Sequence, residues 1–311
     1  MSDIILHHYP TSPFAEKVRR VLAFKKLPWK SVTIPAVMPK PDLMPLTGGY
    51  RRTPVLQVGA DIYCDTAIIC DLLERIAPEP SLYPAPVAGQ ARLLAHWADS
   101  TLFWTVIPYV FQPAGVQDIM GHLKPEEMQV FGADRAAMRG NAPRMHPSDA
   151  AAALPQYLRW LDDMLAGGAP FLLGARPSIA DFSVYHCLWF VARAKSLAGI
   201  LDRTPRLLAW MRTIAAFEHD APTLISSEDA LAIARAATPA PAPDNAAFVD
   251  THGIAAGAQV TVTPSDYGMD PVAGELVMAS EREYALRRSD ERAGTVVVHF
   301  PRIGYQLRAV K

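Results

Sequence analysis

The run Ile4-Ile5-Leu6-His7-His8-Tyr9-Pro10-Thr11-Ser12-Pro13-Phe14-Ala15-Glu16-Lys17-Val18-Arg19 decides how the first part of this chain is read. An apolar stretch stops, a hydroxyl pair follows, and a Pro-led amphipathic segment begins at once. Proline suits the first helical position because the N–H it lacks would be unpaired there, and Ser suits the cap before it. The pattern predicts a strand over 4–8 and a helix over 13–26. The free amides and positive dipole end of such a helix favour an anion, a thiolate included. Ser12 therefore reads as a cap, as a thiol-binding hydroxyl, or as both. Thr11 is the adjacent competitor and Tyr9 a weaker one that suits packing at the strand end. His7 and His8 fall on opposite faces of the strand and cannot jointly ligate a metal.

Short apolar runs predict strands over 29–34, 54–58 and 61–64, and Ile68, Ile69, Leu72, Leu73 and Ile76 predict a helix over 65–76. The order β-α-β then β-β-α fits a small mixed sheet with helices over 1–84. Thr53-Pro54 stands just before a strand, where a cis bond would make a tight turn. Over 89–236 the signal is helical, in segments 90–111, 149–165, 178–194, 205–218 and 226–236. Ser178-Ile179-Ala180-Asp181 is a reciprocal capping signal. An Ala/Pro tract over 237–244 reads as an extended, semi-stiff linker. Beyond it, over 245–311, alternation with Gly-marked turns predicts about five short strands, hence a small all-β barrel or sandwich.

The chain has 311 residues, half of them hydrophobic and a fifth charged, which suggests two or three domains with ample core. A net charge of −1 gives no footprint for nucleic acid or an anionic membrane. Before Ala60, however, nine basic residues face three acids, a bias that suits a small anionic ligand or a solvated basic face. Cys64, Cys70 and Cys187 form no metal spacing or disulfide framework and read as buried thiols. No leader pattern and no membrane-spanning run are evident, so a cytoplasmic location is the default. Neither a GxGxxG nor a P-loop motif occurs.

Four of these features, in order over about 235 residues, make the chain resemble the cytosolic glutathione transferase superfamily. The turn at 11–19 is similar to the active-site turn of classes with a Ser or Cys that activates the thiol. Arg52-Thr53-Pro54-Val55-Leu56 resembles the cis-Pro segment that pairs with the cysteinyl backbone of glutathione. Asp65-Thr66-Ala67-Ile68 stands at the place of the Glu/Gln-Ser pair that holds the γ-glutamyl group, and Arg176–Asp181 resembles the helical capping motif. The stretch from Pro239 is not part of the family pattern. Asp65 is one methylene shorter than the usual Glu or Gln, and Ser12 in place of Cys points away from mixed-disulfide exchange and toward thiol activation.

The resemblance implies an α/β thioredoxin-like N-terminal domain and an all-α domain, with the β-rich segment appended. It implies glutathione as co-substrate, no metal, Ser12 as the thiolate donor, and Thr53, Pro54, Asp65, Thr66, Arg52 and Lys40 as glutathione contacts. Tyr9, Thr11, Phe14, Trp104 and Tyr109 become candidates for the substrate side, although an aromatic stretch at helical spacing also suits core or dimer contact. It further implies a homodimer, no nucleic-acid or membrane partner, and a small hydrophobic electrophile as second substrate. The alternative on the same scaffold is a non-catalytic interaction or stress-regulator protein that uses the C-terminal segment for partner binding.

Overall fold

The computed structural model describes residues 3–218, 221–241, 248–249 and 251–310. The N-terminal elements are β1 (Ile4–His8), α1 (Pro13–Phe24), β2 (Lys30–Thr33), α2 (Met44–Thr47), β3 (Val55–Val58), β4 (Asp61–Cys64) and α3 (Thr66–Ile76). Every residue of β1 and β4 is buried, so these short strands read as apolar runs rather than alternations. β1 pairs in parallel with β2 and antiparallel with β3, and β3 pairs antiparallel with β4. His7 lies opposite Val55, and Val55 opposite Cys64. The end of β1, the start of β3 and the end of β4 thus meet at one end of the sheet.

A helical region follows: α4 (Ala88–Trp97), a π turn (Ala98–Leu102), α5 (Phe103–Val110), α6 (Pro113–Met120), α7 (Pro125–Arg139), α8 (Pro147–Met164), α9 (Ile179–Arg193) and α10 (Pro205–Ala215). The expected helix over 90–111 is therefore interrupted, by a π insertion of the kind that often marks functional sites. α6 and α7 have no counterpart in the sequence reading. The reason is physical: α7 buries only Met138 and offers no apolar stripe. The Ser178–Asp181 box forms as expected. Asp181 accepts from Ser178 N at 2.8 Å and also from Leu172 N and Trp210 Nε1, both at 2.9 Å.

After β5 (Thr223–Leu224) and α11 (Ser227–Ala236) come β6 (Gln259–Pro264), β7 (Val272–Ala279), β8 (Glu283–Asp290), β9 (Gly294–Pro301) and β10 (Tyr305–Ala309). The last five strands are all-β as expected, but they are not a barrel or sandwich standing apart. β9 pairs in parallel with β4, giving one ten-stranded sheet in the order β10-β6-β7-β8-β9-β4-β3-β1-β2-β5. The correction has a simple cause: β4 would otherwise be an edge with unpaired backbone groups, and β9 satisfies them. Val262, Leu286, Val298 and Phe300 share a core with Ile5, Val32, Val55 and Ile62. Residues 242–244 of the Ala/Pro tract lie outside the described residues; at its start, Ala240 N donates to Asp61 Oδ2 at 2.8 Å, so that part is fastened to β4.

The new seam also carries a buried ionic cluster. His299 of β9 sits 3.0 Å from Asp61 and 2.5 Å from Glu283, stacked on Tyr63. Burial opposes its protonation, but hydrogen bonds to the two carboxylates raise its pKa above the ordinary value.

Candidate functional site

Ser12 is the N-cap of α1, and its Oγ accepts from Ala15 N at 3.2 Å. That bond uses a lone pair and leaves the hydroxyl proton free to donate. Capping and thiol binding are therefore compatible in one side chain. Thr11 beside it is exposed, while the Ser12 side chain is buried at the strand-to-helix turn. Tyr9 is half-buried, with its hydroxyl 3.4 Å from Arg135 Nη2.

The Thr53–Pro54 peptide is cis. Lys40 lies beneath it, donating to Arg51 O at 2.9 Å and to Thr53 Oγ1 at 3.0 Å. Burial pushes the Lys40 ammonium down to about 8, helped by Arg135 and Arg51 and opposed by Asp134. Lys40 thus braces the turn and is almost wholly enclosed. Arg51 is paired with Asp134 at 2.8 Å, and Arg52 with Asp266 at 2.5 Å and with Tyr267 O.

Asp65 caps α3 with Oδ1, which accepts from Ala67 N at 2.9 Å. Thr66 Oγ1 accepts from Lys17 Nζ at 3.1 Å. Lys17, fully enclosed, also bonds Asp99 of the π turn at 2.5 Å, and His186 Nε2 lies 3.0 Å from that carboxylate. Burial lowers the Lys17 pKa and raises that of Asp99, but their pairing outweighs it: Lys17 ends above its ordinary value and Asp99 near about 2. Nothing in the sequence singled out Lys17, Asp99 or His186. A Lys in a charged helical turn carries no mark of burial until its partner, on a distant π turn, is placed.

On the apolar side, Phe14 packs on Phe103 and His186 with ring centroids 4.6 Å away in both cases. Trp104 meets Tyr267 at 4.9 Å. Tyr109 is buried in the helical core, and its hydroxyl donates to Leu197 O at 3.0 Å. Tyr267 lies in the β6–β7 connection. That loop bridges the cis-Pro turn, through Arg52, and the helical region, through Trp104 and a bond from Gly268 N to Met138 O at 2.6 Å. The approach is close, since a Cβ on Gly268 would stand 3.1 Å from Met138 Cε. Sequence reasoning missed Tyr267 because its partners come from two other regions.

The three cysteines are free and buried, and burial pushes Cys70 up to about 12 and Cys64 and Cys187 well above the ordinary thiol value. His7 and His8 bond Gln57 and Ser31, and burial lowers both to about 4. A cavity of about 520 Å³ lies along the β4–β9 seam, and one of about 290 Å³ beside α3; neither is lined by Ser12, Pro54 or Asp65. Among the described residues no helix is long and apolar enough to cross a membrane, and no group of three or more His, Cys, Asp or Glu is arranged to hold a metal.

Comparison with known proteins gives two family matches: the glutathione S-transferase N-terminal domain over residues 6–81 and the C-terminal domain over 133–213. A GST-like protein from Pseudomonas syringae is 42% identical, with 100% of each chain covered and a TM-score of 0.83. A glutathione S-transferase from Rhodospirillum rubrum is 22% identical over 68% of this chain and 88% of its own, TM-score 0.52. A beta-etherase from a Sphingobium species is 19% identical over 70% and 96%, TM-score 0.51. The last two likenesses concern the fold alone. No curated protein sequence matches the chain.

Proposed function

The chain belongs to the glutathione S-transferase family, and we propose that it binds glutathione and activates its thiol for attack on a small hydrophobic electrophile. The observation that carries this reading is the register that gathers Ser12, the cis Thr53–Pro54 turn and Asp65–Thr66 at one end of the sheet. A peptide-thiol laid along that end has its γ-glutamyl part at Asp65 and Thr66, its backbone at Thr53, and its sulfur at Ser12. Lys40 supports the turn from below, and Arg52 closes the side toward the β6–β7 loop.

A free thiol ionises near 8.5. The Ser12 hydroxyl and the start of α1 supply a donor and a favourable dipole end, which stabilise the thiolate. The thiol proton passes to solvent, and the thiolate pair forms the bond to carbon as a leaving group departs from that carbon with its own pair or, in an addition, as the π pair moves to the neighbouring atom and takes a proton from solvent. Phe14, Trp104 and Tyr267 supply apolar surface to the electrophile. The protein acts in the cytoplasm as a homodimer, without nucleic-acid, membrane or metal partners.

A second reading, the non-catalytic interaction protein, is favoured by one observation: the β6–β7 loop joins the cis-Pro turn to the helical region and occupies Arg52. Retention on immobilised glutathione separates the two. Wild-type protein is expected to be retained and Asp65→Ala to be retained weakly. Passage of wild-type protein straight through the column contradicts the enzyme reading.

A further inference from the structure

Tyr305 opens β10, 240 residues beyond Asp65, and its hydroxyl lies 3.0 Å from Asp65 Oδ2. A carboxylate only accepts, so Tyr305 is the donor. Its oxygen is also 3.0 Å from the Tyr50 hydroxyl, which must then donate to it. Burial pushes both phenols well above 10, so both keep their protons. The ring is fixed in place, 5.6 Å from Phe300 and 5.9 Å from the Arg52 guanidinium. Asp65 itself is held at φ 95°, a left-handed setting that a non-glycine residue keeps only when its surroundings impose it.

We infer that Tyr305 is a positioning residue for the γ-glutamyl end of glutathione, an inference that rests on the site proposed above. It orients the Asp65 carboxylate so that the lone pairs left by Ala67 N and the phenol receive the α-ammonium group. The short Asp side chain gains from the C-terminal strands the fixed orientation its own reach does not supply. Tyr305 lies outside both stretches matched by the family, 6–81 and 133–213. The extension is therefore a working part of the binding site.

A tether that merely fastens β10 would affect all ligands alike, whereas a positioning role depends on the ammonium. Calorimetric titration of the full-length protein with glutathione and with its des-amino analogue distinguishes them. Tyr305→Phe is expected to weaken glutathione about tenfold, the worth of a hydrogen bond to a charged group. It is expected to leave binding of the analogue within about twofold of wild type. Tyr50→Phe repeats the pattern with a smaller loss and decides the matter if Tyr305→Phe does not fold. Equal weakening of both ligands, or no change in either, overturns the inference while the glutathione site stands. Absence of glutathione binding by the wild-type protein overturns the site and the inference together.

Discussion

Asp65 and Thr66 are neighbours, yet each is held by a different part of the chain. Thr66 accepts from Lys17, whose ammonium is paired with Asp99 and so with the helical region. Asp65 accepts from a neutral phenol on the last strand. The two ties differ in what their loss leaves behind. Removing one member of an enclosed ion pair strands the other charge, whereas removing a hydroxyl leaves a smaller defect. The helical tie is thus a matter of stability, and the C-terminal tie, under the inference above, a matter of ligand affinity.

The largest effect is expected at the helical tie. Lys17→Met should destabilise the protein by about 3 kcal/mol, since the Asp99 carboxylate is left without its cation, although it keeps some access to water. Chemical denaturation of the variant and of Lys17→Met/Asp99→Asn checks this, the double variant recovering much of the loss. Because Asp99 is depressed to about 2, its contribution is present above the ordinary carboxylate range and fades only as pH falls toward 2. An unchanged denaturation midpoint for Lys17→Met would erase the contrast.

The seam that carries the C-terminal strands should respond to pH in the opposite sense. His299 is raised by Asp61 and Glu283, so its stabilisation is complete below the ordinary histidine value and is lost as pH rises through its folded-state value. Thermal melting of wild type against His299→Gln should differ by about 2 kcal/mol in mild acid, and the gap should close as the solution becomes alkaline. A gap that widens with pH breaks the assignment.

The smallest effect is expected in the β6–β7 loop. Tyr267→Ala should cost about 1 kcal/mol through its lost contact with Trp104. It should also widen the range of electrophiles accepted, as read from relative kcat/KM over a size series. An unaltered size preference removes Tyr267 from the substrate wall.

The elements of the proposed thiol end were legible because they are local: Ser12-Pro13 announces a cap, and Thr53-Pro54 and Asp65-Thr66 each stand beside a short strand. The supports were not. Lys17 meets Asp99 only through a π turn, and Tyr305 reaches Asp65 only because β9 joins β4. Alternation revealed the C-terminal strands but not the edge they cover, since an alternating strand fits any open edge with an apolar face. Tyr109 shows the reverse: helical spacing alone does not tell a substrate wall from a core, and its burial with the hydroxyl on Leu197 O came only with the fold.

Stabilisation of a bound thiolate by Ser12 and the start of α1 is read by following the ultraviolet thiolate absorbance of the glutathione complex against pH. The midpoint is expected at least about one unit below the free value near 8.5, and Ser12→Ala should return it most of the way. A complex that titrates as free glutathione does, in wild type and variant alike, contradicts the account.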